Sequence, residues 1–470
     1  MRKHLRKRLL LAVFLLFGFP CRSSGEDTNR TIMPILEGYI ATGLANNLSL
    51  RQRRLSYTQS LQRLQEARAM FFPSLAFNAR YSRAGGGRTV VVPVGDLINP
   101  VSTTLNQMLG QDRFPEDLEN ETIRFLRKDE YETRLRFTQQ VFNPRVRNNY
   151  RLHLNRVDIQ QAEVRTFQRH LVKEIKVAYF NYLSTIKVAE LYEQTLELLS
   201  ESRRVTQKLF EADKVTRDAI YRADTEYHRV EQRLHAARNQ NHTARSFFNF
   251  LLDQPLETAI SYEEAPPPSS RPEFDLHTLK QKALDNREEL AQGQAAVQAA
   301  GHVKNIAGSD FLPNFSIVAD YGFQGESLRL SGEDDYWMVS GVLQWQFFNG
   351  AGARAKVSRA RTEIDRLQSS LTEAKRRTEL QVEQQYHSLR SAYDRLVVAG
   401  LARRSAHENF RMVSKKYEQG IASQVEYLDA RTVRTSVDID EIIALYDYHV
   451  QFAELERVTA AYNLQDYWQQ

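Results

Sequence analysis

Apolar residues recur at alternating steps of three and four along two long stretches of the chain. In the first, Leu171, Ile175, Ala178 and Tyr182 are followed by Ala189, Tyr192, Leu196 and Leu199; in the second, Val382, Leu389, Ala392, Leu396 and Ala399 keep the same phase. Such spacing is the seam of a coiled coil. It predicts helices over 147–211 and 353–418, each about 95 Å long at 1.5 Å per residue. Each runs to a short break, at Asp213 or Gly420, and a returning helix over 216–252 or 423–462. Shorter helices are predicted over 35–70 and 275–310, ending near Pro73 and Pro313, because a proline pushes the residue before it toward extended geometry. A soluble periplasmic coiled-coil scaffold or adaptor-like protein would explain these helices equally well.

Four short segments alternate with period two instead. The first sets Leu75, Phe77, Ala79 and Tyr81 against polar neighbours, and the second does so with Tyr131, Leu135, Phe137 and Val141. Phe315, Ile317, Ala319, Tyr321 and Phe323 make the third series; Trp337, Val339, Leu343, Trp345 and Phe347 make the fourth. Such alternation, rich in aromatics, marks a tilted transmembrane strand with one lipid face and one wet face. The aromatics expected to face lipid are Phe77, Tyr81, Phe137, Phe315, Tyr321, Trp337 and Trp345. Strands of a soluble sandwich alternate too. Four strands, however, are too few to close a barrel, and an open edge cannot face lipid. The expected fold is mainly α, with four strands per protomer pooled between copies into one transmembrane barrel. Two copies would give eight strands and a filled interior, three would give twelve and a wider lumen.

The chain also repeats itself. GLANNLSL at 43–50 resembles ALDNREEL at 283–290, and Phe72-Pro73-Ser74-Leu75 resembles Leu312-Pro313-Asn314-Phe315. Gln140-Val141-Phe142-Asn143 resembles Gln346-Phe347-Phe348-Asn349, and Phe210-Glu211 resembles Tyr417-Glu418. The offset shortens once, between Tyr81 and Tyr131, so the first copy carries an extra connector over 83–130. The expected organisation is a first repeat over 30–262, a proline-rich linker over 263–273 and a second repeat over 274–470. Gly85-Gly86-Gly87 in the connector lacks the Gly-Lys-Ser/Thr ending of a phosphate loop and reads as part of a long outer loop.

Charge changes the picture only at the N-terminus. Residues 1–25 have a basic head, an apolar run from Leu9 to Phe19 and the small residues Ser23, Ser24 and Gly25, the pattern of an export signal. That segment holds six basic residues and no acid, so its removal takes the formal +6 to 58 basic against 58 acidic residues. Nucleic acid is not an expected partner. Cys21 is the only cysteine, which excludes disulfides within the chain; Pro20 stands where a lipobox needs a small residue, favouring a plain signal cut. His228, His235 and His242 share a helical face but lie about 10.5 Å apart in turn, too far to hold one metal ion. With no HExxH and no nucleophile elbow, neither catalysis nor a cofactor is expected.

With these parts assembled, the chain resembles the TolC-like outer-membrane efflux channel family. The most specific piece is the stretch 417–431, YEQGIASQVEYLDAR, similar to the family's tyrosine, glycine, then acidic-x-x-acidic-alanine pattern at the second helical tip. The resemblance implies a homotrimer, with a twelve-stranded barrel in outer-membrane lipid continued by an α-helical barrel across the periplasm. It also implies docking to a periplasmic adaptor and an inner-membrane pump. Glu426 and Asp429 match the two acidic positions that ring the periplasmic constriction, and their spacing of three puts both on one helix face. Tyr417, Gly420, Ile421, Asp213, Lys214, Arg217 and Asp218 fall at the tips, where the family latches shut and meets its adaptor. The family's arginine two residues past the tip glycine is Ala422 here, so any latch must use other pairs.

Overall fold

The computed structural model describes residues 33–329, 331–348, 350–462 and 464; the expected export signal over 1–25 and Cys21 lie outside them. The first half runs α1 (Pro34–Asn46), α2 (Leu48–Ala69) and β1 (Ser74–Arg83). A connector then holds β2 (Thr89–Val92), α3 (Val94–Leu109) and β3 (Glu121–Arg124) before β4 (Asp129–Phe142), α4 (Pro144–Glu211) and α5 (Arg217–Leu251). The second half repeats the order with a short connector: α6 (Leu276–Asn286), α7 (Glu288–Gly308), β5 (Asn314–Gly325), β6 (Asp335–Gln344), α8 (Gly352–Glu418) and α9 (Gln424–Thr459). The 68 residues of α4 span about 100 Å. Among the described residues no helix is long and apolar enough to cross a membrane.

Both of the shorter predicted helices are broken, at positions equivalent in the two halves. Asn47 adopts φ −53° and ψ 122°, accepts from the Leu50 N–H at 3.0 Å and donates to Leu251 O at 2.9 Å. One side chain therefore caps α2 and ties it to the end of α5. Arg287, at φ −71° and ψ 125°, separates α6 from α7 while its guanidinium holds Glu289 and Gln381. Apolar periodicity continues through both breaks, which is why it conceals them.

The core follows the predicted seams. Leu171, Ile175, Ala178 and Tyr182 are buried with Ile40 and Phe248, and Val382, Leu389 and Ala392 are buried with Tyr448 and Leu455. Tyr192 and Leu196, nearer the tip, are only half-buried. The halves are also joined by charge. Arg169 of α4, 7% exposed, makes two bonds to Glu288 of α7 at 2.9 and 2.6 Å and a third to Tyr462 O at 2.9 Å.

His449 of α9 lies under the proline-rich linker, stacked on Phe180 at 4.9 Å, with Nε2 3.1 Å from Pro266 O. Burial pushes this imidazole down to about 4, against about 6.5 in an unfolded chain. A base held neutral contributes stability above its unfolded value and loses it as pH falls toward the folded one. Between pH 7.5 and 5 the wild type should lose about 2 kcal/mol through this group alone. His449→Phe should remove that part of the slope, read from urea midpoints at the two pH values. An equal slope in the variant would show that other groups carry it.

All four long strands form one antiparallel sheet in the order β1-β4-β5-β6. Register places Phe77, Leu135, Tyr321 and Trp337 in one cross-strand row, so the predicted apolar positions share a face. On the other face Arg80 pairs with Glu132 at 2.9 Å, and Arg136 grips Asp320 with two bonds of 2.7 Å. Three details depart from expectation. A register shift between Gln140 and Phe142 takes Val141 out of the alternation. β6 ends at Gln344, leaving Trp345 and Phe347 beyond the strand. The connector holds its own helix and a two-stranded ribbon of β2 and β3 rather than plain loop, and Asn99 and Asn106 tie that helix to the backbone of the segment after it.

Candidate functional site: the paired helical tips

Each long helix ends in the same hydrogen-bonded turn. At the first tip the Asp213 N–H donates to Phe210 O at 2.9 Å and the Lys214 N–H to Leu209 O at 2.8 Å. At the second the Gly420 N–H donates to Tyr417 O at 3.0 Å and the Ile421 N–H to Lys416 O at 2.8 Å. This is the Schellman cap, which needs a left-handed residue. Asp213 supplies φ 54° and Gly420 φ 73°. Asp213 manages without being glycine because a short polar side chain tolerates that region.

The second tip then restarts its helix with a capping box. Ser423 Oγ accepts from the Glu426 N–H at 3.3 Å, while Glu426 accepts from the Ser423 N–H at 2.7 Å and its hydroxyl at 3.0 Å. These bonds hold the Glu426 carboxyl below the usual carboxylate range. Asp429, one turn on, is exposed and makes no ion pair or hydrogen bond among the described residues. The two acids are thus unequal, one engaged by its own helix end and the other free.

The predicted tip residues do not meet across the hairpins. Tyr417 stacks on Tyr427 within its own hairpin at 4.8 Å, and burial raises its hydroxyl. Arg217 lies 5.9 Å over Phe210, and Asp218 takes the Thr216 hydroxyl and lies 3.5 Å from Arg222. Other residues join the hairpins. Gln424 donates to Ala219 O at 3.2 Å, Arg431 to Thr195 O at 3.1 Å, and Thr432 to Glu226 at 3.4 Å. Arg431 is 6% exposed, and its second terminal nitrogen has no partner. Gln424 and Arg431 stand seven residues apart on one face of α9, a spacing legible in sequence, but backbone carbonyl partners leave no mark there.

Comparison with known proteins places this arrangement. The family model described as "Outer membrane efflux protein" matches residues 40–248 and 279–461. The chain belongs to the outer membrane efflux protein family. It is an outer-membrane efflux channel and not an enzyme. Among solved structures, a membrane protein from Pseudomonas aeruginosa is 17% identical with a TM-score of 0.76, over 91% of this chain and 93% of that one. The Campylobacter jejuni CmeC outer membrane channel is 13% identical with a TM-score of 0.73, over 93% and 90%. The open state of the Neisseria gonorrhoeae MtrE outer membrane channel is 17% identical with a TM-score of 0.71, over 91% and 89%. At such identities the likeness is one of fold. No curated protein sequence matches the chain.

In this efflux protein the predicted membrane aromatics other than Trp345 gather on the apolar sheet face. Phe77 and Trp337 are 71% and 77% exposed, Tyr81 lies opposite Tyr131 with ring centroids 4.7 Å apart, and Phe137 stands between Leu75 and Ala319. Phe315 pairs with Leu343. Trp345, past the strand, donates to Phe311 O at 3.1 Å, at the junction of sheet and helices.

Proposed function

We propose that three copies of this efflux protein join β6 of one to β1 of the next, giving a twelve-stranded barrel and an α-helical duct below it. The duct serves as the passive exit of a tripartite efflux or type I secretion system, opened when a periplasmic adaptor and an inner-membrane pump engage the tips. The observation that carries this reading is a four-stranded sheet, apolar on one face, with β1 and β6 at its edges. Within lipid every backbone amide needs a partner, so a chain with two strand edges must share them with other copies.

At the tips, Glu426 and Asp429 from three copies would set six carboxylates around the narrow end of the lumen. Tyr417, Gly420 and Ile421 of one tip and Asp213, Lys214, Arg217 and Asp218 of the other form the surface offered to the adaptor. The cross-hairpin bonds of Gln424, Arg431 and Thr432 stand in for the latch that Ala422 cannot make.

The test is ion conductance of the detergent-purified protein in planar bilayers. Asp429→Ala should reduce cation preference about five-fold, since a unit charge within about 4 Å of an ion contributes about 1 kcal/mol even at the dielectric of water. Glu426→Ala should do less to selectivity and weaken the α9 cap by removing its half of the capping box. Unchanged selectivity in the double variant would remove both acids from the gate. Release of the protein without detergent would remove the barrel.

A further inference from the structure

The connector carries a helix whose polarity is inverted. On α3 the asparagines are turned onto the return segment 110–120 and bonded there: Asn106 accepts from the Arg113 and Phe114 N–H groups at 2.9 and 3.0 Å and donates to Phe114 O and Glu116 at 2.8 Å. Asn99 exchanges two bonds of 3.0 Å with the Leu118 backbone, and Asp96 and Asn120 pair at 3.0 Å. The apolar arc points outward. Leu97, Ile98, Val101, Leu105, Met108 and Leu109 are all exposed, Leu97 by 68% and Met108 by 80%.

We propose that this arc lies in the outer leaflet of the membrane as an interfacial helix. The inference rests on the barrel reading above. The connector leaves the sheet at Arg83 and Asp129, the ends opposite those joined to α2 and α4, and therefore emerges at the outer surface. At that same end the Tyr81–Tyr131 pair stands on the apolar sheet face, and Phe125 and Leu126, between β3 and β4, are exposed. At 100° per residue the six side chains span about 120° of the helix, with Asp96, Thr103 and Gln107 opposite. That arc is wider than the two-in-seven seam with which copies of a helix pack together. Asp96 is the only charged side chain on α3, so apolar area rather than charge drives insertion.

The experiment uses the full chain in a Cys21→Ser background, reconstituted into phosphatidylcholine vesicles, with a nitroxide at Met108→Cys, Gln107→Cys or Phe77→Cys. Collision with oxygen, which concentrates in lipid, is compared with collision with a water-soluble nickel chelate. The Met108 label should behave like the Phe77 label, with an oxygen-to-nickel ratio several-fold above that at Gln107. A Met108 label as open to nickel as Gln107 would overturn the proposal. So would a label shielded from both reagents and broadened by neighbouring spins, which would mean that copies of α3 cover one another. A nickel-accessible Phe77 label would instead sink the barrel reading itself, and this inference with it.

Discussion

Arg169→Ala should destabilise the protein by about 3–5 kcal/mol, the cost of breaking a buried ion pair and leaving one partner uncompensated. Arg169 and Glu288 are both largely withdrawn from water, with side-chain exposures of 8% and 12%. The guanidinium also holds Tyr462 O at 2.9 Å and lies 4.9 Å over the Tyr462 ring, whose hydroxyl returns a 3.0 Å bond to Arg169 O. Removing the arginine strands a carboxylate and a carbonyl at the point where the two halves meet. Arg204→Ala, in an exposed pair with Glu201, should cost far less, because solvent screens such a pair. Arg169→Met with Glu288→Leu should recover most of the loss, because the pair's value lies chiefly in not being half removed. Urea midpoints of the helical circular dichroism signal decide it. A loss for Arg169→Ala no greater than for Arg204→Ala would reduce the pair to decoration.

The legible and illegible parts of this fold divide by mechanism. The seam from Leu171 to Leu199 and the alternation from Leu75 to Tyr81 are repeated patterns, so each residue supports its neighbours and the elements can be read from spacing. The breaks at Asn47 and Arg287 depend on one backbone torsion each. GLANNLSL and ALDNREEL carry that break in both repeats, yet the flanking apolar phase hides it. Connector helix α3 contains Pro100 and buries Gly95, Ser102 and Asn106 rather than leucines, which inverts the rule used to find helices. At the tips, Ser423-x-x-Glu426 has the spacing of a capping box, so the engagement of Glu426 was open to sequence reasoning. The bonds of Gln424 and Arg431 to Ala219 O and Thr195 O were not. Arg431 and Thr195 come from different repeats, and only folding brings them together.

Gly322→Ala should prevent the protein from forming an outer-membrane oligomer while leaving its helices intact. Gly322 stands opposite Arg134 in the register of β4 and β5. A Cβ there would lie 2.9 Å from the Cα and Cβ of Arg134 and closer still to Thr133 O. The obstruction is backbone, which no rotamer change relieves. β5 is an inner strand, so displacing it disturbs its ladders with both β4 and β6. In water such a slip exposes amides that solvent can satisfy; in hydrocarbon each unpaired group costs several kcal/mol. Gly341→Ala is the matched control, because its Cβ would meet only the Phe315 ring edge at 3.3 Å, and a ring can turn. Membrane fractionation with unheated gels should show Gly341→Ala assembled and Gly322→Ala absent from the oligomer band. Normal assembly of Gly322→Ala would mean that the two strands can separate and still seal. That outcome is incompatible with a sheet whose only protection from lipid is unbroken pairing.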